Sequence, residues 1–122
     1  GDLRLSYSQF EELEDFARFA TRLDQDTRAT IEHGRRVREV LKQAEHNPLR
    51  PSAQIAVLKA LNAGLLDDLG LDQIAGAETQ IQQWMLKECP NLCELMEKGH
   101  PLNHQEWQTI LSVASHAIQQ AK

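Results

Sequence analysis

The feature that most narrows what this chain can fold into is a long helical pattern that runs into a proline. Leu23, Thr27, Thr30, Gly34, Val37 and Leu41 recur at alternating spacings of four and three, which sets them along one face of an α-helix. Asn47-Pro48 ends that helix, because the proline ring disfavours helical geometry in the residue before it. Gln43-Ala44-Glu45-His46 are therefore polar side chains at a helix C-terminus held against a packed body, which makes them a candidate ligand edge.

The rest of the chain reads as helices separated by caps and breakers. Ser8-Gln9-Phe10-Glu11 has the form of a capping box and predicts a first helix with Phe10, Leu13, Phe16, Ala17 and Ala20 as its core face. Asp24 or Asp26 is the expected cap of a second helix reaching about Ala44, and Ser52 that of a third carrying Ile55, Leu58, Leu61 and Leu65 inward. Gly64 is expected at or near the end of that third helix. Leu65 to Asp72, LLDDLGLD, reads as a short acidic connection, and Asp72 is the expected cap of a fourth helix with Leu71, Ile74, Ala77, Ile81, Trp84 and Met85 inward. Pro90 opens a short helix that ends before Gly99, following the usual placing of proline early and glycine late. Asn103 to Glu106 repeats the capping logic ahead of a last helix that buries Trp107, Ile110, Leu111, Ala114 and Ile118. No stretch alternates as a strand does. The expected fold class is all-α, an irregular bundle of five or six helices in a single domain, residues 1–122.

Composition excludes several classes of function. The 122 residues are 41% hydrophobic and carry a net charge of −5, which suits a folded domain and argues against nucleic acid as a main partner. The longest apolar runs, such as Ile55 to Leu58, fall far short of the ~20 residues a bilayer span needs, so no direct membrane insertion is expected. Gly1 in place of methionine suggests a processed chain or an excised piece with a tag remnant, and the second is the favoured expectation. Two cysteines give no disulfide framework and fit a reducing setting.

Few constellations offer chemistry. The sequence has no Gly-x-x-x-x-Gly-Lys-Ser/Thr loop, no Gly-x-Gly-x-x-Gly turn and no Gly-x-Ser-x-Gly elbow. Cys89, Cys93, His100 and His104 are zinc donors by type, but the link between the pairs is shorter than in a zinc finger, so buried thiols and capping histidines are expected and no metal site is assigned. His33, His46 and His116 belong to no nucleophile pattern. Arg35, Arg36 and Arg38 are able to grip phosphate, yet read first as a solvated face paired with Glu32 and Glu39. Phe10, Phe16 and Phe19 read as core rather than as a stacking platform.

A resemblance adds to this reading. Leu3-Arg4-Leu5, Gln9-Phe10-x-Glu12-Leu13-x-x-Phe16-Ala17-x-Phe19, Leu23-Asp24-x-x-Thr27 and Gly34-Arg35 resemble the C-terminal domain of the α subunit of F-type ATP synthase. The likeness continues through Glu39-Val40-Leu41-Lys42-Gln43, Asn47-Pro48-Leu49, Gln54-Ile55-Ala56-Val57 and Gly64-Leu65-Leu66-Asp67, and beyond Asp72 rests on helical pattern and position. The acidic Asp-Glu-Leu-Ser-Glu-Glu-Asp loop of the β subunit is missing. LLDDLGLD stands where it would fall.

The resemblance implies a non-catalytic helical bundle facing the central stalk of a rotary head that couples ion flow to ATP synthesis or hydrolysis. It implies β and γ subunits as partners, and a peripheral complex on the cytoplasmic face of the bacterial inner membrane. ATP or ADP with magnesium would belong to the parent subunit and no cofactor to this chain, which would not itself be an enzyme. It also implies that two glutamines line the adenine pocket of a non-catalytic nucleotide site. Gln43 matches the first, whereas Glu45 replaces the second, exchanging a group that donates and accepts for one that only accepts. Asp67, Asp68 and Asp72 are candidate contacts to basic rotor residues, Asp72 equally a helix cap. Surface left by missing domains is expected to let the isolated chain self-associate. The competing reading is a free-standing helical adaptor whose groove binds a partner helix.

Overall fold

Helix-forming sequence continues further than its potential caps suggest. The computed structural model describes residues 7–122, with side chains for residue 12 and for 14–122, and the first helix, α1, runs unbroken over Tyr7–His46. Where two helices were expected there is one. No proline or glycine lies between Ala20 and His33, and the supposed caps are spent within the helix: Asp24 pairs with Arg28 one turn on at 3.2 Å, and the Asp26 carbonyl accepts the Thr30 hydroxyl at 2.9 Å. The capping box expected at Ser8 and the inward roles of Phe10 and Leu13 fall on side chains outside the described residues.

The remaining elements are α2 (Pro51–Asn62), a 3-10 turn (Leu71–Gln73), α3 (Ile74–Glu88), α4 (Pro90–Glu97) and α5 (His104–Ala121). Five α-helices and no strand among the described residues give the all-α bundle that the pattern implied. The chain divides into two compact units, Gly1–His33 and Gly34–Lys122.

In the first unit the described part of α1 exposes its large apolar side chains. Phe16, Phe19 and Leu23 are all at least half exposed, which corrects their expected place in a core. The pattern set the helix but supplied no second surface to cover it.

The second unit holds the core. α3 contributes Ile74, Ala77, Ile81 and Met85, and α5 contributes Ile110, Ala114, Ala117 and Ile118. α2 packs through Ala53, Ala56, Val57 and Ala60 together with Leu61, while Leu58 is exposed and Ile55 and Leu65 are only partly buried. Small residues let the helix backbones approach closely, and the longer leucine at position 58 is turned outward, contrary to expectation. Leu71 is likewise exposed, Trp107 and Leu111 are half-buried, and among the described residues of α1 the wholly buried one is Val40, with Leu41 turned out.

Helix ends follow their chemistry closely in this unit. α1 stops at His46, and the Asn47 amide closes onto the Gln43 carbonyl at 2.7 Å before Pro48. Gly64 and Gly99 adopt φ of +80° and +78°, each turning the chain at a helix C-terminus. The amide after each glycine reaches back five residues, Leu65 to Ala60 and His100 to Leu95, both at 3.0 Å. Asn103 and Glu106 exchange reciprocal backbone bonds at 2.8 and 2.9 Å ahead of α5, as their spacing required.

Two expected caps are replaced. Pro51 opens α2, and Ser52 lies inside it, donating its hydroxyl to Glu97 at 3.1 Å. Asp72 sits within the 3-10 turn, where Gln73 accepts the Gly70 amide at 2.8 Å and leads into α3.

Candidate functional site

The edge begins with Gln43 in the last turns of α1. Its amide nitrogen donates to the Glu39 carboxylate one turn back at 3.0 Å, leaving the amide oxygen uncommitted among the described residues. Gln43 is half-buried, whereas Glu45 and His46 are exposed just before the chain leaves the helix. The edge therefore offers a carbonyl oxygen and a carboxylate, both acceptors. That acceptor pair suits a ligand group rich in N–H and suits poorly a group that itself needs a donor.

α3 carries a residue whose role the apolar pattern alone did not suggest. Glu78 on α3 is 4% exposed, and its Oε1 has no hydrogen-bond partner among the described residues. Burial, then the neighbouring Glu39 charge, pushes its carboxyl from 4.5 up to about 7. A signal existed in the sequence: Glu78 stands four residues after Ile74 and three before Ile81, within the inward stripe.

The acidic connection becomes a turn after α2 with a divided character. Leu66 and Leu69 are fully buried while Asp67, Asp68 and Asp72 are exposed. Arg36 anchors the turn from α1 by donating to the Leu66 carbonyl at 3.1 Å and to the Leu69 carbonyl at 2.6 Å. One arginine of the cluster expected as a solvated face is thus half-buried and engaged in holding backbone. No hydrogen bond or ion pair joins Asp68 or Asp72 to Gln43 or Glu45 among the described residues.

Neither cysteine sits in a ligating cluster. Cys89 lies 3.5 Å from the Met85 sulfur and Cys93 points at the Met85 carbonyl at 3.6 Å, both buried, whereas His100 and His104 are exposed. Burial, with smaller contributions from Cys93 and Glu88, pushes the Cys89 thiol up to about 11, away from the thiolate that zinc requires. Among the described residues no group of three or more histidine, cysteine, aspartate or glutamate side chains converges.

Two further features were not anticipated. Arg50 forks onto Glu97 at 3.1 and 2.9 Å and joins the start of α2 to the end of α4. The Arg50 hydrogen bond holds the Glu97 carboxyl below its ordinary range, and the Glu97 bond raises Arg50 in turn. On α3 and α5, Trp84 and His116 meet edge to face at 4.5 Å beside a shallow cavity of about 280 Å³, also lined by Glu88, Ser112 and Val113.

Five α-helices and no strand among the described residues, with the core in the second unit, make this an all-α helical domain. A family model for the ATP synthase alpha/beta chain, C terminal domain, matches residues 1–117, and the chain belongs to that family. Similar proteins in that family include alpha subunits. ATP synthase subunit alpha 2 of Syntrophus aciditrophicus (strain SB) is 50% identical over 118 residues, 97% of this chain and 23% of that protein. ATP synthase subunit alpha 1 of Rhodopirellula baltica is 47% identical and that of Marinomonas sp. (strain MWYL1) 45% identical, each again over 97% of this chain and 23% of the relative. The chain thus spans about a quarter of the length of these relatives. No solved structure matches it.

Proposed function

We propose that this chain works as the non-catalytic helical domain of an ATP synthase alpha subunit, with its α1 C-terminus edging the adenine pocket of the non-catalytic nucleotide site. Gln43 and Glu45 form that edge, and ATP or ADP with magnesium is held by the parent subunit, the phosphates and metal by residues outside this chain. The beta and gamma subunits are its partners in a peripheral complex at the cytoplasmic face of a bacterial inner membrane. No helix among the described residues is long and apolar enough to cross a membrane.

The observation that carries this reading is the placing of Gln43 and Glu45 on the last turn before the Asn47-Pro48 stop, in a chain half identical to an alpha subunit. Exposed Asp67, Asp68 and Asp72 give an acidic turn suited to basic residues on a rotating stalk. In isolation the chain self-associates through the apolar surface that α1 exposes.

Glu45→Gln in the assembled head tests the edge directly. Restoring an amide that donates as well as accepts, and removing a charge near an anionic nucleotide, should tighten ATP retention at the non-catalytic site by about tenfold. Unchanged retention would reject the role given to Glu45.

A further inference from the structure

Residues four apart on a helix share a face, and the end of α3 sets Trp84 and Glu88 at that spacing. α5 does the same with Ser112 and His116, and Val113 stands beside Ser112. The two helices pack against each other, and Trp84 and His116 meet across them with ring centroids 4.5 Å apart and planes at 87°. Two perpendicular rings make a corner. These five side chains line the cavity of about 280 Å³.

Size and lining narrow what this cleft can hold. Pockets for drug-sized molecules start at about 300 Å³, so a smaller and shallow cleft suits one long side chain. Trp84 and Val113 are half-buried and supply an apolar floor, while Glu88, Ser112 and His116 are exposed and form a polar rim. That rim accepts hydrogen bonds through a carboxylate, a hydroxyl oxygen and one nitrogen of a neutral imidazole. Glu88 is in no ion pair among the described residues. An apolar floor beneath an accepting rim calls for an apolar stem that ends in several donors. Arginine has both, and its planar head forks onto carboxylates and stacks on rings.

Lys87 shows what the tryptophan does with a cation. Its ammonium lies 4.8 Å from the centre of the Trp84 ring, so the ring already takes a positive charge from its own helix. Lys87 is not part of the cavity lining, and its charge acts against a second cation placed nearby. The net charge of −5 on the whole chain acts the other way and favours the approach of a basic partner. This cleft is separate from the acidic turn, because the helix from Ile74 to Trp84 sets it roughly 15 Å along α3.

We propose that the cleft is a docking site for one arginine side chain of a partner protein, its guanidinium forked on Glu88 and its methylene stem laid along Trp84 and Val113. Tryptophan and arginine are the residue types that anchor protein interfaces. The lining holds no lysine or arginine to take the carboxylate of free arginine, so an arginine borne by a protein is the better fit.

The test follows the indole N–H signal of Trp84 by NMR while this chain is titrated with the blocked peptide Ala-Arg-Ala. The same titration is run with lysine or citrulline in place of the arginine, and with free L-arginine. The expected result is a saturable movement of the Trp84 signal at millimolar peptide, with the Trp107 signal unmoved. The citrulline peptide, which keeps the shape and loses the charge, should bind at least fivefold more weakly. Glu88→Gln should weaken the arginine peptide by about fivefold, and Lys87→Gln should tighten it by about twofold. Both positions are exposed, so both variants keep the fold. No saturable movement, or equal binding of the citrulline peptide, would overturn the proposal, as would unchanged binding in Glu88→Gln. A lysine peptide that binds as tightly would overturn the fork on Glu88. Free arginine that binds more tightly than the peptide would overturn the assignment to a protein partner.

Discussion

The two units of this chain carry the same kind of apolar repeat and put it to different use. In Gly34–Lys122 the inward stripes of α3 and α5 close on each other, and Ile81 and Ile110 are wholly buried. In Gly1–His33 the stripe on α1 leaves Phe16 69% and Leu23 50% exposed. Spacing of three and four decides that a segment is helical with an apolar side. Whether that side is covered depends on other elements, which a periodic pattern does not name.

The sharpest way to break this comparison is to truncate one residue on each side of it. Ile81→Ala removes three carbons from a closed interior, leaves a cavity, and should cost about 2–5 kcal/mol in denaturant unfolding. Ile31→Ala, at a position 49% exposed, removes the same atoms from solvent and replaces a β-branched residue with the best helix former. Its effect should stay within about 0.5 kcal/mol of zero. Equal losses at the two positions would mean that a covered core exists around α1 in solution.

A second test exploits a carboxyl buried in the second unit, that of Glu78. Glu78 keeps its proton up to a pH of about 7 in the folded chain, while its ordinary value is 4.5. Between those values the folded state binds a proton that the unfolded state has released, so stability falls as pH rises through that window and levels off above it. The loss amounts to about 3 kcal/mol. Unfolding midpoints measured across this range should show the slope, and Glu78→Gln should remove it. The exposed carboxylates of the first unit, such as Glu14 and Asp24, sit in ion pairs one turn apart.

What was legible in the sequence follows the same division. Local chemistry was readable wherever one residue type is demanded by one backbone geometry: Pro48 stopping α1, Pro90 opening α4, Gly64 and Gly99 at positive φ, Asn103 and Glu106 bonding reciprocally. Caps were misread where a residue that caps well also sits comfortably inside a helix. Asp24, Asp26 and Ser52 all found partners there, and nothing in four consecutive residues tells the two situations apart. The facing of α2 was misread because alanines rather than leucines do the packing. For the candidate site, Gln43 and Glu45 were visible through resemblance and through the proline that follows them. Glu78 was obscured because its position is apolar by period and acidic by identity, and only burial shows which one rules.

Glycine sharpens the point with opposite signs at two positions. Gly64 turns the chain at φ +80°, and a Cβ there would stand 3.2 Å from an Asp67 oxygen, so Gly64→Ala should cost about 1–2 kcal/mol. Gly34 lies inside α1, where an added Cβ would meet nothing within 4 Å. Gly34→Ala should therefore stabilise by about 0.5–1 kcal/mol through the unfolded chain's lost freedom. Thermal unfolding of the two variants should move in opposite directions, and a destabilised Gly34→Ala would show that this face of α1 is covered in solution.

The smallest expected change in stability carries the clearest statement about the exposed side of α1. Phe16→Ser with Leu23→Ser removes two large apolar groups that bury little within the chain, so the unfolding midpoint at low concentration should shift by no more than about 0.5 kcal/mol per residue. The same pair of changes should abolish concentration-dependent self-association in sedimentation, because an apolar patch is stabilised only when a second surface excludes water from it. Ion pairs such as Arg18 with Glu14 remain and keep the helix itself in place. A variant that loses stability together with association would show that α1 depends on a partner to remain helical. One that keeps both would leave Phe16 and Leu23 as ordinary surface residues.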